Sequence, residues 1–87
     1  MHIKDGFVLR EVAGQAMVVA TGEAARGFQG MVRLNGAGAE VWRALEAGAS
    51  RDEAAGRLAE VYGVELARAR ADVDSFIERM AAEGFLR

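Results

Sequence analysis

The sequence predicts an α+β fold in which a short β region, residues 6–34, precedes three helices within residues 36–83. Three observations carry that reading. β-Branched and aromatic residues concentrate in the stretches around Phe7–Val12 and Met17–Val19, as strands require. Asn35 and Ser50 stand at two helix starts, each followed by apolar residues at helical spacing. Gly48, Gly63 and Gly84 then fall where each helix should stop.

In the first strand, Phe7, Leu9 and Glu11 lie on one face and Val8, Arg10 and Val12 on the other. Gly14 suits a tight turn, because without a Cβ it adopts positive φ freely. Met17-Val18-Val19-Ala20 is the returning strand of the hairpin. The stretch from Thr21 to Gly27, with two glycines, Glu23 and Arg26, reads as a flexible loop. A weaker third strand runs from Gly30 to Leu34.

Asn35 can cap the first helix by accepting from an orphan N–H. Gly36 and Gly38 weaken the first turn of that helix, whose apolar face is Leu34, Val41, Trp42 and Leu45. Ser50 with Glu53 matches a capping box, in which each residue's side chain satisfies the other's backbone donor. The apolar run that should follow is present in Ala54, Ala55, Leu58, Val61 and Tyr62. The third helix spans about Glu65 to Glu83, with Ala69, Val73, Phe76, Ile77 and Met80 on one face. Phe85 and Leu86 are expected to fold back onto a core of Trp42, Leu45, Leu58, Val73 and Ile77. Met31 and Met80 read as core residues too, although the adaptable Met side chain also suits a binding groove.

At 87 residues the chain is expected to form one domain, 1–87. A domain of this size buries roughly 60–65% of the surface that its unfolded chain exposes. The 52% hydrophobic content is mostly Ala and Val, which leaves little material to enclose a large ligand. A 28% charged content and a net charge of −2 indicate a folded, soluble protein. Without Cys, neither a disulfide framework nor a thiolate metal site can form, which fits a reducing cytoplasm. Gln15 and Glu23 interrupt the longest apolar stretch, and Met1-His2-Ile3-Lys4-Asp5 is too polar for a signal peptide, so no membrane role is expected. Charge divides unevenly: residues 1–34 carry +1 and residues 35–87 carry −3.

Catalytic constellations are absent. His2, the single His, sits where the chain is expected to fray and has no orienting partner. No Ser can therefore find a His to activate it. Asp72 and Asp74, two apart on a helix, diverge and make neither a carboxylate pair nor a metal site. The scattered glycines form no phosphate loop, and Trp42 belongs to an apolar packing face rather than a ligand stack. No enzyme activity, cofactor or metal is expected. A hairpin and three helices also suggest a winged helix-turn-helix, with Gly63 in the turn and the third helix reading DNA. A DNA-binding winged-helix transcriptional regulator is thus the alternative reading. Residues 65–83 carry a net −2, however, and phosphate neutralisation needs a cationic stripe.

Several segments in order carry a resemblance: Gly6-Phe7-Val8-Leu9-Arg10-Glu11-Val12-Ala13-Gly14, then Leu34-Asn35, then Val41-Trp42 with Leu45. Gly48 and Ser50 with Glu53, Tyr62-Gly63-Val64, Asp72-Val73 with Phe76-Ile77 and Met80, and Gly84-Phe85-Leu86 complete it. Across almost its whole length the chain resembles the PqqD-like family, also called RiPP recognition elements. The resemblance implies a three-stranded antiparallel sheet followed by three helices, winged helix-turn-helix-like. It implies a non-catalytic adaptor that binds the leader segment of a ribosomally made precursor peptide. The adaptor presents that leader to a modifying enzyme, often a radical S-adenosylmethionine protein. The leader would add a strand beside Gly30, Met31, Val32 and Arg33. Arg68, Asp72, Val73, Phe76 and Arg79 would lie near its groove. Nothing in the sequence marks the pyrroloquinoline quinone pathway over another.

Overall fold

The hairpin turn is built from Ala13 and Gly14, at φ 52° and 78°. Two consecutive positive φ values match the right-handed twist of the strands they join. They close β1 (Phe7–Val12) onto β2 (Gln15–Ala20), with Val12 opposite Gln15 and Phe7 opposite Ala20. The computed structural model that shows this describes residues 2–27 and 31–87. β3 (Met31–Leu34) pairs antiparallel with β2, Val32 opposite Val18 and Leu34 opposite Ala16. The strand order is β1-β2-β3, so β3 is an edge. Three helices then follow, as the resemblance implied: α2 (Gly36–Glu46), α3 (Arg51–Tyr62) and α4 (Leu66–Ala82).

One element was not foreseen. Within the expected loop from Thr21 to Gly27, residues Ala24–Gly27 form a single helical turn, α1. Ala25 and Arg26 donate to the carbonyls of Gly22 and Glu23, and the exposed Arg26–Glu23 pair at 3.6 Å spans it. A turn this short has no apolar periodicity to read. Gly6, at φ 92°, lets the chain pass close beneath it: a Cβ there would lie 2.8 Å from Ala24 Cβ.

Local chemistry sets the helix boundaries. Asn35 Oδ1 accepts from Gly38 N at 2.7 Å. At α3, Glu53 N donates to Ser50 Oγ at 3.1 Å and Ser50 N donates to Glu53 Oε1 at 2.9 Å, completing the capping box. Gly63 ends α3 in the left-handed region.

One sheet face packs on the helices. Val18 and Leu34 are buried there with Trp42, Leu45, Leu58, Val73 and Ile77, the core read from the sequence. Phe85 returns as expected and packs edge-on to Trp42 at 5.7 Å and against Phe7 at 4.9 Å. The chain ends are also joined. Lys4 N donates to the Phe85 carbonyl at 2.7 Å, and His2 and Arg87 exchange backbone hydrogen bonds at 2.8 and 3.1 Å. His2 is therefore held by pairing, where fraying was expected. Two further expectations fail. Met31 is 57% exposed, because β3 alternation turns it away from the helices, whereas Met80 is buried. Val61 and Tyr62 are exposed at the last turn of α3, past the end of the packed stripe.

Candidate functional site: an open strand edge beside a helix cleft

β3 pairs with β2 alone among the described residues. Among the described residues, no backbone hydrogen bond outside that pairing involves Met31–Leu34. An edge of this kind offers unpaired N–H and C=O groups. Met31, Val32 and Arg33 lie on it, while Gly30 falls outside the described residues.

Beside the end of this strand is a cleft of about 320 Å³ between the first turn of α2 and α4. Leu34, Val41, Leu58 and Phe76 line it with Ala37 and Gly38, and Asn35, Asp72, Ser75 and Arg79 supply its polar atoms. Asp72, Phe76 and Arg79 fall on one stripe of α4 through their i, i+4, i+7 spacing. A second cavity of about 610 Å³ continues from it, sharing Leu34, Asn35 and Arg79 and adding Arg33, Arg43 and Tyr62.

The glycines of α2 shape the cleft and the adjoining cavity. A Cβ on Gly38 would sit 2.9 Å from Phe76 Cε1 and 3.2 Å from Asn35 Oδ1. A Cβ on Gly36 would sit 2.6 Å from the Tyr62 hydroxyl. Both glycines cost helix propensity in the first turn, and each allows an aromatic side chain to rest against the backbone. Two glycines where helix formers belong were the sequence signal for this approach. Nothing in the sequence pointed to Ser75 or Leu34 as cleft residues, or to Tyr62 as lining the adjoining cavity.

The nine predicted residues therefore separate. Asp72, Phe76 and Arg79 share the cleft, and Arg33 reaches the adjoining cavity, where its Nη1 donates to Gln15 Oε1 at 3.0 Å. Val73 is only 1% exposed and belongs to the core, one helical step from the cleft. Arg68 is exposed on α4 and lines neither cavity.

Several charges outside the cleft are paired with one another. Arg51 meets Asp74 at 2.9 Å, Arg70 meets Asp52 at 3.6 Å, and Glu40 lies between Arg57 at 3.3 Å and Arg43 at 3.8 Å. Among the described residues Asp72 and Arg79 have no such ion-pair partner within 4.0 Å. The arrangement supplies main-chain donors and acceptors, an apolar slot, one carboxylate and one guanidinium. Those are the parts of a binding surface for an extended chain. No group of three or more His, Asp or Glu side chains among the described residues is placed to hold a metal ion.

Sheet, helix order and open edge together define a small α+β domain of winged-helix layout with an accessible strand. The family model for coenzyme PQQ synthesis protein D (PqqD) matches residues 7–86, and the chain belongs to that family. Among solved structures, the chain is similar to "TbiB1 in Complex with the TbiA(beta) Leader Peptide". The TM-score is 0.81 over 100% of this chain and 95% of that one, at 20% sequence identity, so the two share a fold. No curated protein sequence matches. Nothing in the structure or the comparisons favours the DNA-binding alternative: α4 carries as many acids as arginines, and Arg70 is already paired with Asp52.

Proposed function

We propose that this protein is a non-catalytic adaptor that binds the leader segment of a ribosomally synthesised precursor peptide and presents it to a modifying enzyme. The observation that carries this reading is the open edge of β3 lying beside a cleft of mixed apolar and polar lining between α2 and α4. An extended leader adds to Met31, Val32 and Arg33. Backbone pairing supplies affinity. Alternate leader side chains enter the cleft over Phe76, and Asp72 and Arg79 select among charged neighbours. Family membership and the leader complex of the TbiB1 structure support the same assignment. The work is placed in the cytoplasm, where precursor peptides are made. No helix among the described residues is long and apolar enough to cross a membrane.

Calorimetric titration tests this reading with two ligands, the synthetic leader and random duplex DNA, each at low and near-physiological salt. Leader binding should weaken only mildly with salt, because exposed ion pairs contribute about 0–1 kcal/mol each. Tight DNA binding that falls by orders of magnitude with salt, together with no leader binding, would overturn it.

A further inference from the structure

An antiparallel sheet with one packed face normally turns polar residues to water on the other. On this sheet the outer face is mostly apolar. Val8, Val12, Met17, Val19 and Met31 alternate away from the helices, and none of the five belongs to the core cluster. Val12 and Met31 are 43% and 57% exposed. The other strand residues on this face are Gln15, Arg10 and Arg33, and the Arg33–Gln15 hydrogen bond confirms that they share it. Among the described strand residues the face is therefore mostly apolar, with two cations and no carboxylate, on a chain of net charge −2.

We infer that this outer sheet face is the docking surface for the enzyme that modifies the bound peptide, a partner presenting an apolar patch rimmed by carboxylates. The inference rests on the adaptor reading for the partner's identity. Two features select this occupant. Charge disfavours a two-fold pairing of the face with itself, since an isologous contact would bring two sets of cations together with no carboxylate from either copy to pair them. Continuity supplies the second. Met31 and Arg33 belong both to this face and to the strand whose edge is open. A strand added at that edge projects every second side chain into the cleft and the others onto the outer face. A partner seated there touches adaptor and peptide at once, so it binds the loaded adaptor more tightly than the free one.

The test uses the full chain, free and saturated with leader, against the immobilised enzyme that modifies the peptide carrying that leader. The variants are Val12→Glu and Arg10→Glu, with Glu60→Arg on α3 as a control. All three positions are exposed. Val12→Glu should weaken enzyme binding about tenfold or more, as loss of an interface anchor does. Arg10→Glu should slow association and flatten its salt dependence. Leader affinity and melting should match the parent, and Glu60→Arg should bind the enzyme normally. If Val12→Glu fails to fold, Arg10→Glu still decides. Parental enzyme binding by both variants would overturn the inference. So would sedimentation showing a dimer of the parent that Val12→Glu dissolves. A parent that binds no leader, yet loses enzyme binding through both substitutions, would contradict the adaptor reading and leave the docking face standing.

Discussion

Gly38 shows how a residue that weakens a helix can build a site. Its missing Cβ is the space into which Phe76 settles, 2.9 Å from where that carbon would be. Gly38→Ala gains helix propensity, about 0.5–1 kcal/mol, and forces Phe76 to shift across the cleft. The chain should therefore melt within about 1 kcal/mol of the parent while binding leader several-fold more weakly, and Phe76→Leu in the same chain should restore part of the affinity. Unchanged affinity by calorimetry would show that the cleft does not contact the leader. Trp42 behaves oppositely. It is fully buried, touches Phe85 edge-on, and its Nε1 has no hydrogen-bond partner among the described residues. Trp42→Ala should cost about 3–5 kcal/mol, a large part of the roughly 5–15 kcal/mol that holds a domain together. Trp42→Phe should cost less, since it also removes an unpaired buried donor. Urea unfolding of the three proteins measures both differences.

At the scale of elements, α3 depends on its first turn. Its capping box ties Ser50 to Glu53 in both directions. The Ser50 backbone N–H, and after it the Ser50 hydroxyl, hold the Glu53 carboxyl below its ordinary range. A carboxylate whose pKa is depressed by folding stabilises the fold fully above its unfolded value of about 4.3, and that contribution is lost as pH falls through the folded value. The parent should therefore exceed Glu53→Gln in stability at pH 7, and the gap should close in the acid range below pH ~4. Equal unfolding midpoints at pH 7 would contradict the box. Ser50→Ala removes the cap acceptor and should cost about 1 kcal/mol at neutral pH. Elements with such chemical signals were legible from sequence: Asn35, Ser50 and Gly63 placed the boundaries of α2 and α3 closely. α1 was not, since its one turn rests on Gly22 and a Glu23–Arg26 pair that a loop could equally contain. Val61 and Tyr62 continued the apolar pattern of α3 beyond the point where α4 covers it, and periodicity does not say where a partner helix ends.

Across the whole molecule, the core was readable because burial follows periodicity, and Trp42, Leu45, Leu58, Val73 and Ile77 are all inside. The candidate site was readable only by segment. Asp72, Phe76 and Arg79 fell in the cleft, but Val73, one residue beyond Asp72, turns about 100° around the helix and enters the core. Cleft residues from α2 and β3, such as Gly38 and Leu34, meet α4 only through the tertiary fold. What the molecule offers as a whole is a sheet that ends in an accessible strand, with a cleft on one side and an apolar face on the other. The central claim is that leader becomes the fourth strand. Backbone amide exchange, read residue by residue by NMR with and without saturating leader, tests it most directly. The outward-facing amides of Met31–Leu34 should slow at least about tenfold on binding, while those facing β2 and the exposed surface around Arg68 stay unchanged. Saturation with leader that leaves every β3 amide exchanging at its free rate would contradict strand addition.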